Sequence, residues 1–144
     1  MGISTISGIV REVCCVLWTQ LRQECMPIPT TEQWLKISSE FLERSNFPNL
    51  IGAVDGKQVE IINPEGSLFF GYKGYSCIQL MAVVDADYRF IYVSIGAYGK
   101  DCDSKVFSNC SFWKNLISNK LQLPEPRPLP GTTTPLPFFL VGDS

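Results

Sequence analysis

Two apolar runs joined by a short polar turn constrain this chain more than any other feature. Cys77–Val84 and Phe90–Ile95 are rich in β-branched and aromatic residues, and Asp85-Ala86-Asp87-Tyr88-Arg89 links them. That pattern predicts a β-hairpin with arms over 77–85 and 89–96. A further strand is predicted upstream over 50–62, where Leu50-Ile51-Gly52-Ala53-Val54 runs into Asp55-Gly56 and then Val59, Ile61 and Ile62, with a bulge near Gly56. Another is predicted at Phe138-Phe139-Leu140-Val141. Before it comes a predicted helix, opened and capped by Asp103 or Ser104 and running to about 118, with Val106, Phe107, Phe112, Trp113, Leu116 and Ile117 on its apolar face. The first three strands are expected to be antiparallel. The last returns after a helical crossover and is expected to lie parallel to the first. The expected class is α/β with a mixed sheet.

Two helices precede the sheet. Ile3, Ile6, Val10, Val13, Leu17 and Leu21 keep a helical period over 3–25, and Pro27 and Pro29 stop it. A second helix is predicted over 31–45, with Thr30 as N-cap and Gln33 completing a capping box. Its apolar residues are Trp34, Leu35, Ile37, Phe41 and Leu42, and Asn46 and Pro48 end it. Pro64 to Gly74 is read as a loop followed closely by Tyr75, with Phe69, Phe70, Tyr72 and Tyr75 exposed. Leu123 to Pro137 holds six prolines and is expected to be extended, neither strand nor helix.

Composition narrows the chemistry. At 144 residues, 45% hydrophobic and 18% charged, the chain suits one folded domain and neither a disordered chain nor a membrane span. It has no histidine, which removes His-based acid–base chemistry, His ligands to zinc and Ser-His triads. A net charge of −2 argues against DNA binding by this chain alone. Cys14, Cys15, Cys25, Cys77, Cys102 and Cys110 show no C-x-x-C spacing, so zinc is not expected and all six are read as buried or half-buried reduced thiols. No charged segment followed by a long apolar run opens the sequence, so no signal peptide is expected, and the expected location is nucleus, cytoplasm or both.

Two carboxylates share one setting. Asp55 follows Gly52-Ala53-Val54 and Asp143 follows Leu140-Val141-Gly142, each at the end of an apolar strand beside a glycine. If those strands are parallel neighbours, about 4.8 Å apart, both carboxylates come within reach of one cation. Hard oxygen donors without Cys or His suit Mg²⁺ or Mn²⁺. Asp-Gly and Gly-Asp are also common turn formers, so spacing leaves both readings open. Asp85 and Asp87 are rival candidates in a turn that favours Asp anyway. Asp101 and Asp103 flank a helix start, where a carboxylate caps free N–H groups.

The segment Phe47-Pro48-Asn49-Leu50-Ile51-Gly52-Ala53-Val54-Asp55-Gly56-Lys57 resembles the first catalytic-Asp segment of the PIF/Harbinger transposase superfamily. Asn63-Pro64, Tyr72-Lys73-Gly74-Tyr75, Val83 to Phe90, Gly96-Ala97-Tyr98-Gly99, Asp103, Phe107-Ser108, the Leu123–Pro130 proline run and Val141-Gly142-Asp143 continue it over residues 30–144. The likeness extends to the Harbinger transposase-derived nucleases. It implies an RNase H-like DDE catalytic core that hydrolyses and transfers DNA phosphodiesters with a divalent metal cation, Mg²⁺ or Mn²⁺. The metal-binding and catalytic acids map to Asp55 and Asp143, with Asp85 and Asp103 on recurrent acidic positions read as structural. Gln58 stands where the family usually has His. The third acid, normally a downstream Glu, has no counterpart before Ser144, so the fold is expected to be incomplete and the fragment inactive alone. The resemblance divides the chain into a helical segment, 1–45, and the first part of the nuclease domain, 46–144. Ser4–Arg11 is similar to the tail of a helix-turn-helix, but a lone helix with one Arg is expected to pack against the core. The alternative is a non-catalytic interaction module working with a Myb-like DNA-binding partner.

Overall fold

The computed structural model describes residues 2–62 and 67–143. Asn63-Pro64, the opening of the expected 64–74 loop, and Ser144 lie outside the described residues.

The chain begins with helix α1 (Ile3–Val16), a π-helical turn (Leu17–Leu21) and the short helix α2 (Arg22–Cys25). None of these has a buried residue, so the expectation that this helix packs against the core is corrected. Its apolar stripe finds no facing surface among the described residues, and at its far end Arg22, Met26 and Ile28 line a cavity with Ile91, Tyr92 and Val93. Helix α3 (Thr31–Ser45) starts as expected. Gln33 N–H donates to Thr30 Oγ1 at 3.3 Å, and Thr30 N–H donates to Gln33 Oε1 at 2.8 Å. Both bonds satisfy N–H groups that the first helical turn leaves free. It ends at Asn46, whose φ of 52° is the left-handed conformation Asn tolerates.

Strand β1 (Leu50–Glu60), β2 (Cys77–Val84) and β3 (Phe90–Tyr98) form the antiparallel meander, and β6 (Phe139–Gly142) joins on the far side in the order β3-β2-β1-β6. β6 is parallel to β1. The fold is thus α/β with a mixed sheet. The β1–β2 ladder is unbroken from Ala53 to Glu60, so no bulge sits at Gly56. The irregularity lies between Leu50 and Gly52 on the β6 side. Gly52 is needed there: an added Cβ would sit 2.8 Å from Val83 Cγ1 and 3.0 Å from Leu140 Cδ2.

The crossover departs from its expected form in two places. The single helix over 103–118 is two, α4 (Asp103–Asn109) and α5 (Ser111–Ile117), because Cys110 turns extended and its Sγ accepts from Trp113 N–H, capping α5. The α4 N-cap is Cys102, not Asp103 or Ser104, and no side-chain cap bond forms there; the Cys102 Sγ pairs with Ser104 Oγ at 3.3 Å instead. The proline stretch also contains a two-stranded ladder, β4 (Arg127–Pro128) and β5 (Pro135–Leu136), closed over Gly131 at φ 78°. Proline fits there because so short a ladder needs few N–H donors.

The core lies between α3, the sheet and α5. Trp34, Ile37, Phe41, Leu50, Ile51, Val83, Phe112, Leu121 and Phe138 are buried together. Trp34 Nε1–H donates to Leu121 O at 2.8 Å, so its ring fills the core without an unpaired donor. Of the aromatics expected to be exposed, Phe70 and Tyr72 are. Tyr75 is half-buried, and Phe69 is half-buried edge-on to Tyr98. Of the six thiols, only Cys77 and Cys110 are buried; Cys14, Cys15, Cys25 and Cys102 are exposed, which corrects the expectation.

Candidate metal centre

Asp55 lies on β1, an element held by pairing on both sides. Its neighbour Val54 pairs with Val83 in β2 and with Gly142 in β6. The next residue beyond that last parallel pair is Asp55 on one strand and Asp143 on the other. In a parallel ladder, residues at one level face the same side of the sheet. The fold therefore brings Asp55 and Asp143 to the same end of adjacent strands, and both are exposed.

A third carboxylate lies beside them. Asp103, in the first turn of α4, sits so close to Gly56 that any Cβ on Gly56 would overlap the Asp103 carboxylate. Burial, then the charges of Asp55 and Asp143, hold the Asp103 carboxyl above its ordinary value of 3.8. Sequence reasoning assigned Asp103 to helix capping. The pattern of a helix start explains it locally, and Gly56, its actual neighbour, is 47 positions away in the chain.

The other acids are occupied elsewhere. Asp85 Oδ1 accepts from Asp87 N–H at 2.8 Å and Arg89 N–H at 2.9 Å, building the hairpin turn. Asp87 pairs with Arg44 at 2.5 Å and Arg89 at 3.5 Å. Asp101 binds Lys105 at 2.6 Å and raises the lysine's pKa by that contact. Gln58 Nε2 donates to Gly99 O at 3.0 Å, and its cross-strand partner Gln79 donates to Asp101 O at 2.9 Å. The loop after β3 is thereby tied to the sheet, and both Gln Oε1 atoms are buried with no partner among the described residues.

A family profile described as DDE superfamily endonuclease matches residues 54–131, just over half of the chain. The chain belongs to the DDE superfamily endonucleases. A relative from Arabidopsis thaliana, "Protein ALP1-like", is 34% identical over 114 residues, covering 76% of this chain and 28% of the relative. The chain thus spans little more than a quarter of that relative's length. No solved structure matches. DDE superfamily endonucleases generally use divalent cations, and the donor chemistry of Asp55, Asp143 and Asp103 is the kind such an ion takes. The donors are carboxylate oxygens only, and their repulsion, visible at Asp103, is what a cation would relieve. Among the described residues, no three acidic, Cys or His side chains are yet gathered tightly enough to hold an ion.

The position of Asp143 depends on a polar clamp that the sequence did not reveal. Asn49, fully buried at φ 59°, donates through Nδ2 to Arg127 O at 3.0 Å and Leu136 O at 3.1 Å. Its Oδ1 accepts from Arg127 Nε–H at 2.9 Å, and Arg127 Nη2 reaches Ser38 Oγ at 3.0 Å. The Arg127 guanidinium also lies over Phe138, 5.1 Å from its centroid. Asn49 O accepts from Phe139 N–H at 3.1 Å, the first bond that sets β6 beside β1.

Proposed function

We propose that this chain carries the first two metal-binding acids of a divalent-metal-dependent DNA endonuclease of transposase descent, on an RNase H-like core. The observation that carries this reading is the register: Asp55 and Asp143 directly follow the Val54–Gly142 pair of two parallel strands. Asp55 and Asp143 would hold Mg²⁺ or Mn²⁺, with Asp103 adding negative potential beside them. The ion's chemistry is activation of a water and stabilisation of the leaving oxygen in phosphodiester cleavage. The residues of this chain orient the acids: Gly56 admits Asp103, and the Asn49–Arg127 clamp fixes β6. Gln58 cannot exchange a proton near neutral pH, so it takes no acid–base role. Cleavage requires the further acid of the longer protein, and the fragment alone is inactive.

The test has two readouts. Mn²⁺ binding to this chain, followed by calorimetry, should be weakened at least tenfold by Asp55→Asn and by Asp143→Asn. Mg²⁺- or Mn²⁺-dependent cleavage of DNA by the full-length gene product should be lost in Asp55→Ala. Cleavage that survives Asp55→Ala would sink the reading.

The net charge of −2 favours a second component for target binding: a separate, basic DNA-binding protein of the Myb type. If the full-length protein alone binds DNA with a steep salt dependence, that partner is not needed. If a pull-down retains the partner while cleavage is absent, the chain works as an interaction module instead.

A further inference from the structure

Two facing amides grip the loop between β3 and α4. Gln58 on β1 and Gln79 on β2 are direct cross-strand partners, so they stand on one face of the sheet. Gly56, two residues before Gln58, faces the same way, and that is the side from which Asp103 approaches. Gln58 Nε2 donates to Gly99 O at 3.0 Å, and Gln79 Nε2 donates to Asp101 O at 2.9 Å. Gln79 is 2% exposed, and a side chain so deeply buried is usually apolar. Neither Oε1 has a partner among the described residues, so among them the loop carbonyls are what these amides bond.

The grip acts just upstream of Asp103. Gly99 lies so close to β2 that an added Cβ would sit 2.5 Å from both Cys77 Sγ and Phe69 O. From Asp101 to Asp103 the chain spans at most about 7 Å, so a pinned Asp101 carbonyl fixes where α4 begins. Asp103, in the first turn of α4, then meets Gly56, the residue after Asp55. Two other side-chain contacts of this stretch, Asp101 with Lys105 and Cys102 with Ser104, stay within it and do not reach the sheet.

We propose that Gln58 and Gln79 are positioning residues for the metal centre: by holding the Gly99 and Asp101 carbonyls, they deliver the Asp103 carboxylate to the side of Asp55 and Asp143. The inference rests on the reading of Asp55 and Asp143 as metal ligands and assigns neither amide to the ion.

Calorimetry of Mn²⁺ binding to the intact chain tests it through a double-mutant cycle. Gln58→Met and Gln79→Met keep the length of the side chain and remove the donor. Each should weaken Mn²⁺ binding about tenfold, the order of effect that one nearby carboxylate has on a divalent ion in water-like surroundings. Asp103→Asn should weaken it as much, and in that background either Met substitution should add less than about twofold. Unchanged affinity in both Met variants would overturn the proposal. So would a loss repeated in full in the Asp103→Asn background, because the amides would then act through the fold at large.

The metal-free protein gives a second readout. A nuclear Overhauser contact between Gly56 Hα and Asp103 Hβ should be present in the wild type and lost in both Met variants. Its absence from the wild type, or its persistence in the variants, would overturn the proposal. A wild type that binds no Mn²⁺ would sink the reading of Asp55 and Asp143 instead, and the Overhauser contact would then decide the placement of Asp103 by itself. If the Met variants do not fold, Gly99→Ala lifts the loop from its own side with both amides intact. It should lose the same contact and the same affinity, and retention of both would overturn the proposal.

Discussion

Replacing Asn49 by Ala should be among the most damaging single changes outside the hydrophobic core. The side chain is fully buried, donates to two carbonyls and accepts from a guanidinium, all at 2.9–3.1 Å. A neutral hydrogen bond is worth about 1 kcal/mol net and one to a charged group about 1.5–3 kcal/mol. Alanine at φ 59° adds backbone strain of about 1 kcal/mol, which Asn tolerates better. Together these give an expected loss of about 5 kcal/mol, a large share of the 5–15 kcal/mol that holds most domains folded. Urea unfolding would measure it as a fall in midpoint at constant slope. Asn49→Gly separates the two parts, since it deletes the same bonds without the strain, and should be milder by about 1 kcal/mol. Hydrogen exchange supplies a local readout: the Phe139 amide, bonded to Asn49 O, should lose protection before the β1–β2 amides do. A loss below about 1 kcal/mol for Asn49→Ala would show that the clamp is not what holds the proline segment to β1.

Three further outcomes follow from the same structure. Gly52→Ala should destabilise by about 1–3 kcal/mol through overpacking against Val83 and Leu140, seen in the urea midpoint; an unchanged midpoint would mean that β6 yields freely. Trp34→Phe should cost about 1–3 kcal/mol by leaving the buried Leu121 carbonyl without its donor, and a neutral result would place water at that carbonyl. Asp103→Asn should raise the metal-free melting temperature at neutral pH. Its folded pKa lies above the unfolded value, so the ionised form costs stability above the folded pKa, and that cost vanishes as pH falls below 3.8. Solvent screening keeps the gain below about 1 kcal/mol, and a gain that persists in acid would refute the charge-repulsion account.

Features written in consecutive residues were legible in the sequence. The Thr30–Gln33 capping box, the Asp85–Arg89 turn and the arms of the hairpin are local, and each has a chemical signature. The parallel return of β6 was legible too, because a strand after a helical crossover has few ways back to the sheet. What escaped depends on partners distant in sequence or on an unusual use of a residue. Cys110 ends one helix and caps the next through a thiol, a role that an apolar period does not reveal. The prolines of β4 and β5 hid a ladder held to Asn49 by main-chain carbonyls, which carry no sequence identity. The apolar period of α1 was read correctly as a helix, yet period alone did not say that its stripe faces solvent. At the candidate site, the Gly-Asp setting of Asp55 and Asp143 was visible, whereas the approach of Asp103 to Gly56 was not.

The geometry of the acid pair rests on residues with no chemistry of their own. β1 is paired with β2 without a break from Ala53 to Glu60 and needs no help to present Asp55. β6 is four residues long and lies at the edge of the described sheet, and a parallel pairing that short is weak by itself. It is fixed instead by buried Phe138, by Leu140 packed against the core, and by the Asn49–Arg127–Ser38 clamp just upstream. Arg127 makes this work because its planar guanidinium can bond Asn49 and Ser38 while stacking on Phe138, which a lysine cannot do. Arg127→Lys should therefore leave β1, and with it Asp55, in place while loosening β6 and Asp143. Metal affinity would then fall further than stability does. A variant in which the two fall in proportion would mean that the sheet and the clamp act as one cooperative unit.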